Sequence, residues 1–171
     1  MSNPTGPASS GASETTTPLR LAIIGCGNPT RSDDGVGVGV VQRLMAGTIP
    51  AGVSLIDAGT AGMDVMFRVR GAERVIIVDA CRSSSDAGAI FRLAGREAMT
   101  PTEHGFTLHG LRWDHALYAG CKMFGEIFVD RTEVLLIEAG SLDYGLELSA
   151  PVQAAAQRVA HMLALQVAEH A

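Results

Sequence analysis

A chain of 171 residues, 47% hydrophobic and 18% charged, fits one domain with a sizeable core. Its net charge of −5 and its one lysine, Lys122, leave no basic stripe to neutralise a row of phosphates, so no nucleic-acid partner is expected. No apolar run approaches the roughly 20 residues that span a bilayer, and the N-terminus lacks a basic and an apolar leader region, so the expected address is the cytoplasm, with no membrane partner.

Residues 1–18 are almost all Ser, Thr, Gly, Pro and Ala, which cannot bury enough apolar surface to offset chain entropy; a disordered tail is expected there, followed by a single domain over 19–171. The apolar run 19–25 predicts a buried strand of a parallel sheet. A glycine-containing loop over 25–32 leads to Asp33 and Asp34 and then to Val36, Val40 and Leu44, spaced for one helical face, with Ser32 or Asp33 as N-cap. A strand over 53–57, a helix over 61–70 and a strand over 74–79 continue the pattern as βαβαβ. A strand over 89–93 and a helix over 112–124 follow, the helix carrying the apolar stripe Trp113, Leu117, Cys121 and Phe124. The last strand is expected over 134–138. A closing helix over 149–167 has Ser149 as its cap, Pro151 in its first turn and Val152, Ala156, Val159, Leu163 and Val167 on one face.

In an open parallel sheet, ligands collect at the carboxyl ends of the strands. Asp33 and Asp34 follow the first strand, Asp57 ends the second, Asp79 the third and Glu138 the last. Such an edge repels phosphate and attracts a cation. The sequence Gly25-Cys26-Gly27 fails as a dinucleotide fingerprint, because Thr30 stands at the third glycine position and two aspartates occupy the place of the pyrophosphate. A P-loop, a G-x-S-x-G elbow and H-E-x-x-H are all absent from the sequence.

Two histidines, His104 and His109, fall in one glycine-containing loop. Asp34, Asp79 and His109 together would supply two hard oxygens and an imidazole, a set suited to a divalent metal such as nickel or zinc with positions left open. Their wide spacing does not single out that site, since aspartates at strand ends also cap helices. Three cysteines, Cys26, Cys81 and Cys121, without a C-x-x-C pair, predict free thiols. Cys26 and Cys81 adjoin the proposed site as nucleophiles, soft ligands or small buried hydrophobes; Cys121 lies on the packing stripe. His104 is either a second imidazole or a solvated loop residue. Asn28 either orients substrate backbone or holds a tight turn, and Asp57 and Glu138 are candidate supporting partners.

The run 25–37, Gly-Cys-Gly-Asn-Pro-Thr-Arg-Ser-Asp-Asp-Gly-Val-Gly, resembles the opening signature of the nickel-iron hydrogenase maturation proteases. Asp57-Ala58-Gly59-Thr60-Ala61-Gly62, the strand ending at Asp79, Leu108-His109 with Trp113 to Leu117, and Glu138 with Gly145 to Ser149 resemble further blocks of that family. Asp34 stands where many members carry glutamate, and Ala139 where proline is usual. The resemblance implies a three-layer α/β/α sandwich around a five-stranded, mostly parallel sheet with one antiparallel strand, the fourth. It also implies an endopeptidase that removes a short C-terminal peptide from the large-subunit precursor of a nickel-iron hydrogenase. Asp34, Asp79 and His109 would then be both metal ligands and catalytic residues, the nickel being supplied by the precursor, with zinc or cadmium as surrogates. A non-proteolytic nickel sensor or chaperone for the same precursor is the alternative.

Overall fold

The computed structural model describes residues 17–100 and 113–171, with the backbone alone over 63–65. The tail expected over 1–18 lies almost wholly outside the described residues, as do His104 and His109.

Strand β1 (Leu21–Cys26) is buried along its whole length. Its side chains alternate between two faces, Leu21 and Ile23 packing on one and Ala22, Ile24 and Cys26 on the other. A strand with both faces covered must be apolar throughout, which is why residues 21–24 read as a continuous hydrophobic run. Around it lie β2 (Val53–Gly59), β3 (Arg74–Cys81), β4 (Ile90–Ala94) and β5 (Thr132–Glu138), in the order β2-β1-β3-β5-β4. Four strands are parallel, and β4 pairs antiparallel to β5 at the edge, as expected.

One face is covered by α1 (Val36–Met45) and α6 (Ala150–Ala168), whose Val36, Val40, Leu44, Val159 and Leu163 share a core with Ile76 and Ile137. The other carries α2 (Gly62–Arg68), α4 (Trp113–Phe124) and α5 (Glu126–Asp130), which bring Met66, Trp113, Leu117 and Phe128 against Ile24, Ile77 and Val134. This is a three-layer sandwich. Each fully buried aliphatic side chain contributes about 2 kcal/mol. All five residues of the predicted face of α6 are buried, and Pro151 stands in its first turn.

Several boundaries differ from the sequence expectation. Residues Ser32–Gly35 form a 3-10 turn, so α1 begins at Val36 with Gly35, rather than Ser32 or Asp33, in the N-cap position. Ser32 adopts a left-handed φ of 47°, and the Asp33 carboxylate is engaged elsewhere in the fold. Helix α2 ends at Arg68, and the short α3 (Gly95–Ala98) and α5 lack the length to establish a readable period. On α4, Trp113 and Leu117 are buried, with Cys121 and Phe124 partly buried against the same core.

Strand β1 has β2 on one side and β3 on the other, which makes the β1/β3 crevice the topological switch point of the sheet. Helix α1 is pressed onto this point. A Cβ on Gly37 would sit 2.1 Å from the carbonyl oxygen of Val78 and 2.4 Å from that of Cys26, and one on Gly25 would sit 2.2 Å from the carbonyl oxygen of Gly37. Gly37→Ala is expected to destabilise the fold by about 3 kcal/mol, against the gain that alanine normally brings in a helix. Urea unfolding would register this as a lower midpoint with an unchanged slope.

Candidate functional site

The loop leaving β1 turns at Gly27, whose φ of +116° is unfavourable for a residue with a side chain. A Cβ there would fall 1.8 Å from the carbonyl oxygen of Asp34 and 3.3 Å from Oδ1 of Asp79. This glycine is therefore the point at which the loop carrying Asp34 meets the strand end carrying Asp79. The sheet brings these two sequence-predicted residues to the same crevice.

Each carboxylate is held by N–H donors. Oδ2 of Asp34 accepts the backbone N–H of Asn28 at 3.0 Å. Asp79, only 8% exposed, accepts the N–H of Ala80 at 2.8 Å on Oδ1 and the indole N–H of Trp113 on Oδ2. In the sequence Trp113 stood on a packing stripe and in a block that resembles the family, with no role at Asp79 assigned to it. A signal was nonetheless present, because a buried indole N–H requires an acceptor, and aspartates were the polar groups at the strand ends. Asn28 takes the turn-holding role, its Oδ1 accepting the N–H of Thr30 at 3.0 Å and the hydroxyl of Thr30 at 2.7 Å.

Asp33 does not serve as the helix cap expected of it. Fully buried, it accepts the N–H groups of Gly140 at 2.8 Å, Ser141 at 2.9 Å and Ser149 at 2.6 Å, together with the Ser149 hydroxyl at 2.8 Å. These donors belong to the loop after β5 and to the N-cap of α6, so one carboxylate joins the loop bearing Asp34 to the C-terminal third of the chain. Ser149 occupies the cap position predicted for it but makes no side-chain cap bond, its hydroxyl being given to Asp33. Burial by itself would raise the Asp33 pKa, but the bonds from Ser141, Ser149 and Gly140 together outweigh it and hold the carboxyl below its ordinary 3.8.

The other strand-end acids are used locally. Asp57 is exposed and accepts from Gln42 Nε2 and from the N–H of Gly59, both at 3.1 Å. Glu138, 2% exposed, accepts the Ser83 hydroxyl at 2.7 Å, the Ser83 N–H at 2.9 Å and the Cys81 thiol at 3.3 Å. The Ser83 hydroxyl is the chief reason that this carboxyl lies below the usual range despite its burial.

The thiols do not supply a nucleophile. Burial first, and then the nearby negative charges of Asp79 and Asp57, raise Cys26 far above the ordinary thiol range. Burial and the bond to Glu138 push Cys81 up to about 12. Neither environment favours the thiolate, which is the nucleophilic form of cysteine.

Among the described residues, no group of three or more His, Cys, Asp or Glu side chains stands ready to hold a metal ion. The third member of the expected set, His109, lies outside them. The two carboxylates that are described are hard, anionic oxygen donors oriented by N–H groups, a chemistry that fits a divalent cation and disfavours an anion.

A profile described as HycI, hydrogenase maturation protease, matches residues 38–166, more than half of the chain. The chain belongs to the hydrogenase maturation protease family. The match begins beyond the 25–37 loop and so does not include Asp34. The hydrogenase maturating endopeptidase of Escherichia coli superposes with a TM-score of 0.72 at 24% identity, covering 88% of this chain and 93% of that one. A nickel-iron hydrogenase maturation protease from Thermococcus kodakarensis gives a TM-score of 0.70 at 20% identity, over 88% and 92% of the two chains. In sequence, the hydrogenase 2 maturation protease of Escherichia coli K12 is 34% identical over 70 residues, covering 40% of this chain and 43% of that protein. The chain spans 30 to 60% of the length of the curated relatives it matches. The two structural likenesses establish that the family fold is present. Among the described residues, no helix is long and apolar enough to cross a membrane.

Asp33 also gives this member of the family an acid-sensitive joint. A carboxyl whose pKa falls on folding stabilises the native state above its unfolded value and loses that contribution as pH drops through its folded value. Asp33→Asn is expected to cost about 3 kcal/mol at neutral pH, because buried donors lose their charged acceptor. It should also flatten the loss of stability over the window in which pH falls below about 4. Thermal melts of both proteins across that window provide the check.

Proposed function

We propose that this protein is an endopeptidase that removes a short C-terminal peptide from the nickel-loaded large-subunit precursor of a nickel-iron hydrogenase, in the cytoplasm. The observation that carries the reading is that, at Gly27, the loop carrying Asp34 meets the strand end carrying Asp79 at the switch point of a family-type sheet. Membership of the hydrogenase maturation protease family supplies the substrate class.

In this reading Asp34, Asp79 and His109 engage nickel that arrives with the precursor, so the metal belongs to the substrate; zinc or cadmium would serve as surrogates. His109 stands four residues before Trp113, and the Trp113 indole is bonded to Asp79. Such a metal would polarise the scissile carbonyl and lower the pKa of a nearby water. The chain's own part is to hold two carboxylates in fixed orientations. The N–H donors of Asn28, Ala80 and Trp113 keep them from swinging away, and an oxygen of either carboxylate that the cation leaves open could accept the water's proton. With the thiolates of Cys26 and Cys81 disfavoured, a covalent thioester route has no support. No observation favours the non-proteolytic sensor over the endopeptidase.

Intact mass spectrometry of the nickel-loaded precursor, incubated with this protein or with its Asp79→Asn or His109→Ala variant, tests the proposal. The unmodified protein is expected to release one C-terminal peptide, with each variant slower by at least about 100-fold. Processing at the normal rate by Asp79→Asn would refute the role given to that carboxylate.

A further inference from the structure

Helix α1 holds two interior glycines whose surroundings are opposite. Gly37 faces the sheet, where backbone carbonyls leave no room for a Cβ. Gly39 faces away from it, and an added Cβ would meet only the end of the Arg43 side chain at 3.2 Å and Leu148 Cδ1 at 3.9 Å. Glycine inside a helix costs about 1 kcal/mol relative to alanine, and at Gly39 backbone carbonyls do not require it; the Arg43 side chain lies there instead, its Nη1 donating to the Gly39 carbonyl at 2.8 Å.

Gly39 thereby presents only backbone, beside the Arg43 side chain, to the lining of a groove of about 460 Å³ between α1 and residues 146–148. One part of the groove is built by Pro29, Ser32 and Gly35, from the same loop that carries Asp34. The opposite wall includes Leu146, which is 81% exposed, and beside it Tyr144 is 89% exposed.

These large apolar side chains stand in water on a backbone that is tied down. The N–H of Ser32 donates to the Gly145 carbonyl at 2.9 Å, and the N–H of Gly145 donates to the Thr30 carbonyl at 3.0 Å. Arg31 donates to the Leu142 carbonyl and lies 5.6 Å from the centre of the Tyr144 ring. Asp33 anchors both ends of the segment, at Ser141 and at Ser149. Apolar groups fixed in an exposed position beside a groove mark a surface that is covered by a partner. Gln153 and Gln42 also lie in the lining and offer amide groups suited to a peptide backbone, Gln42 through its Oε1 because its Nε2 donates to Asp57.

We propose that this groove seats an extended segment of the precursor next to the scissile bond, with an apolar side chain lodged beside Gly39 and the Arg43 stem, against Leu146. The occupant follows from continuity: a chain lying in the groove passes Gly35 and arrives at Asp34. The identity of the peptide rests on the endopeptidase reading above, whereas the groove itself rests on Gly39 and the clamped wall.

The test is binding of the nickel-loaded precursor to the full-length protein carrying Gly39→Leu or Leu146→Ser, with thermal melts of each variant and precursor cleavage followed in parallel. Gly39→Leu fills the groove without touching backbone and is expected to keep or raise Tm. It should weaken precursor binding by about tenfold or more, the scale of one lost apolar contact. Leu146→Ser, at a position already exposed, should fold normally and weaken binding similarly. Leu165→Ser, exposed on α6 and outside the groove, should leave binding unchanged. Unaltered binding by folded Gly39→Leu and Leu146→Ser overturns the proposal, and so does failure of the unmodified protein to bind the precursor. If the unmodified protein binds without cutting while both variants lose binding, the endopeptidase reading falls and the groove stands.

Discussion

The arrangement of the site depends on one buried carboxylate. Asp33 has no exposed surface, and a charge so placed is tolerable only when hydrogen bonds replace the water it has lost. Gly140, Ser141 and Ser149 supply four such bonds from residues that are remote in sequence and converge where the chain leaves β5 and enters α6. The loop after β1 and the segment before α6 are thereby made into one unit. Asp34, the next residue, takes its position from that unit, as does the wall of the groove beside α1. A local helix cap would have stabilised one helix end, whereas this carboxylate stabilises a junction between distant parts of the chain.

A second constraint is the closeness of backbone to backbone at the switch point. Gly25, Gly27 and Gly37 allow α1 and its preceding turn to rest directly on the ends of β1 and β3. Side chains in those places would push the loop outward and separate Asp34 from Asp79. The same glycines that look like a nucleotide fingerprint in the sequence therefore serve a different purpose. They bring two acidic residues together, and the resulting negative potential favours a cation over a phosphate. Trp113 completes the support, joining the start of α4 to Asp79 and placing an apolar ring against the other face of the sheet.

Acid residues at the other strand ends show how similar positions acquire different tasks. Glu138 is buried in a cluster of Ser83 and Cys81 donors and fixes the turn after β3, while Asp57 sits in solvent and steadies the end of β2 through Gln42 and Gly59. Both thiols, Cys26 and Cys81, pack beside these acids. A strand-end carboxylate is thus an invitation to look for a site, and its neighbours decide whether it belongs to one.

Local pattern alone determined a great deal here. The two-sided apolar strands, the 3.6-residue stripe of α6 with Pro151 in its first turn, and the alternation of strand and helix are consequences of burial periodicity, which is written residue by residue. The placement of Asp34 and Asp79 at the carboxyl ends of β1 and β3 was legible from the order of strands and loops along the chain. Tertiary structure alone decided that Asp33 grips residues more than a hundred positions away, that the Trp113 indole serves Asp79, and that Gly37 and Gly39 answer opposite demands within one helix. The reason is physical: periodicity records which face of an element is buried, but a hydrogen-bond partner or an empty groove is set by where distant segments meet, and no single stretch of sequence encodes that meeting.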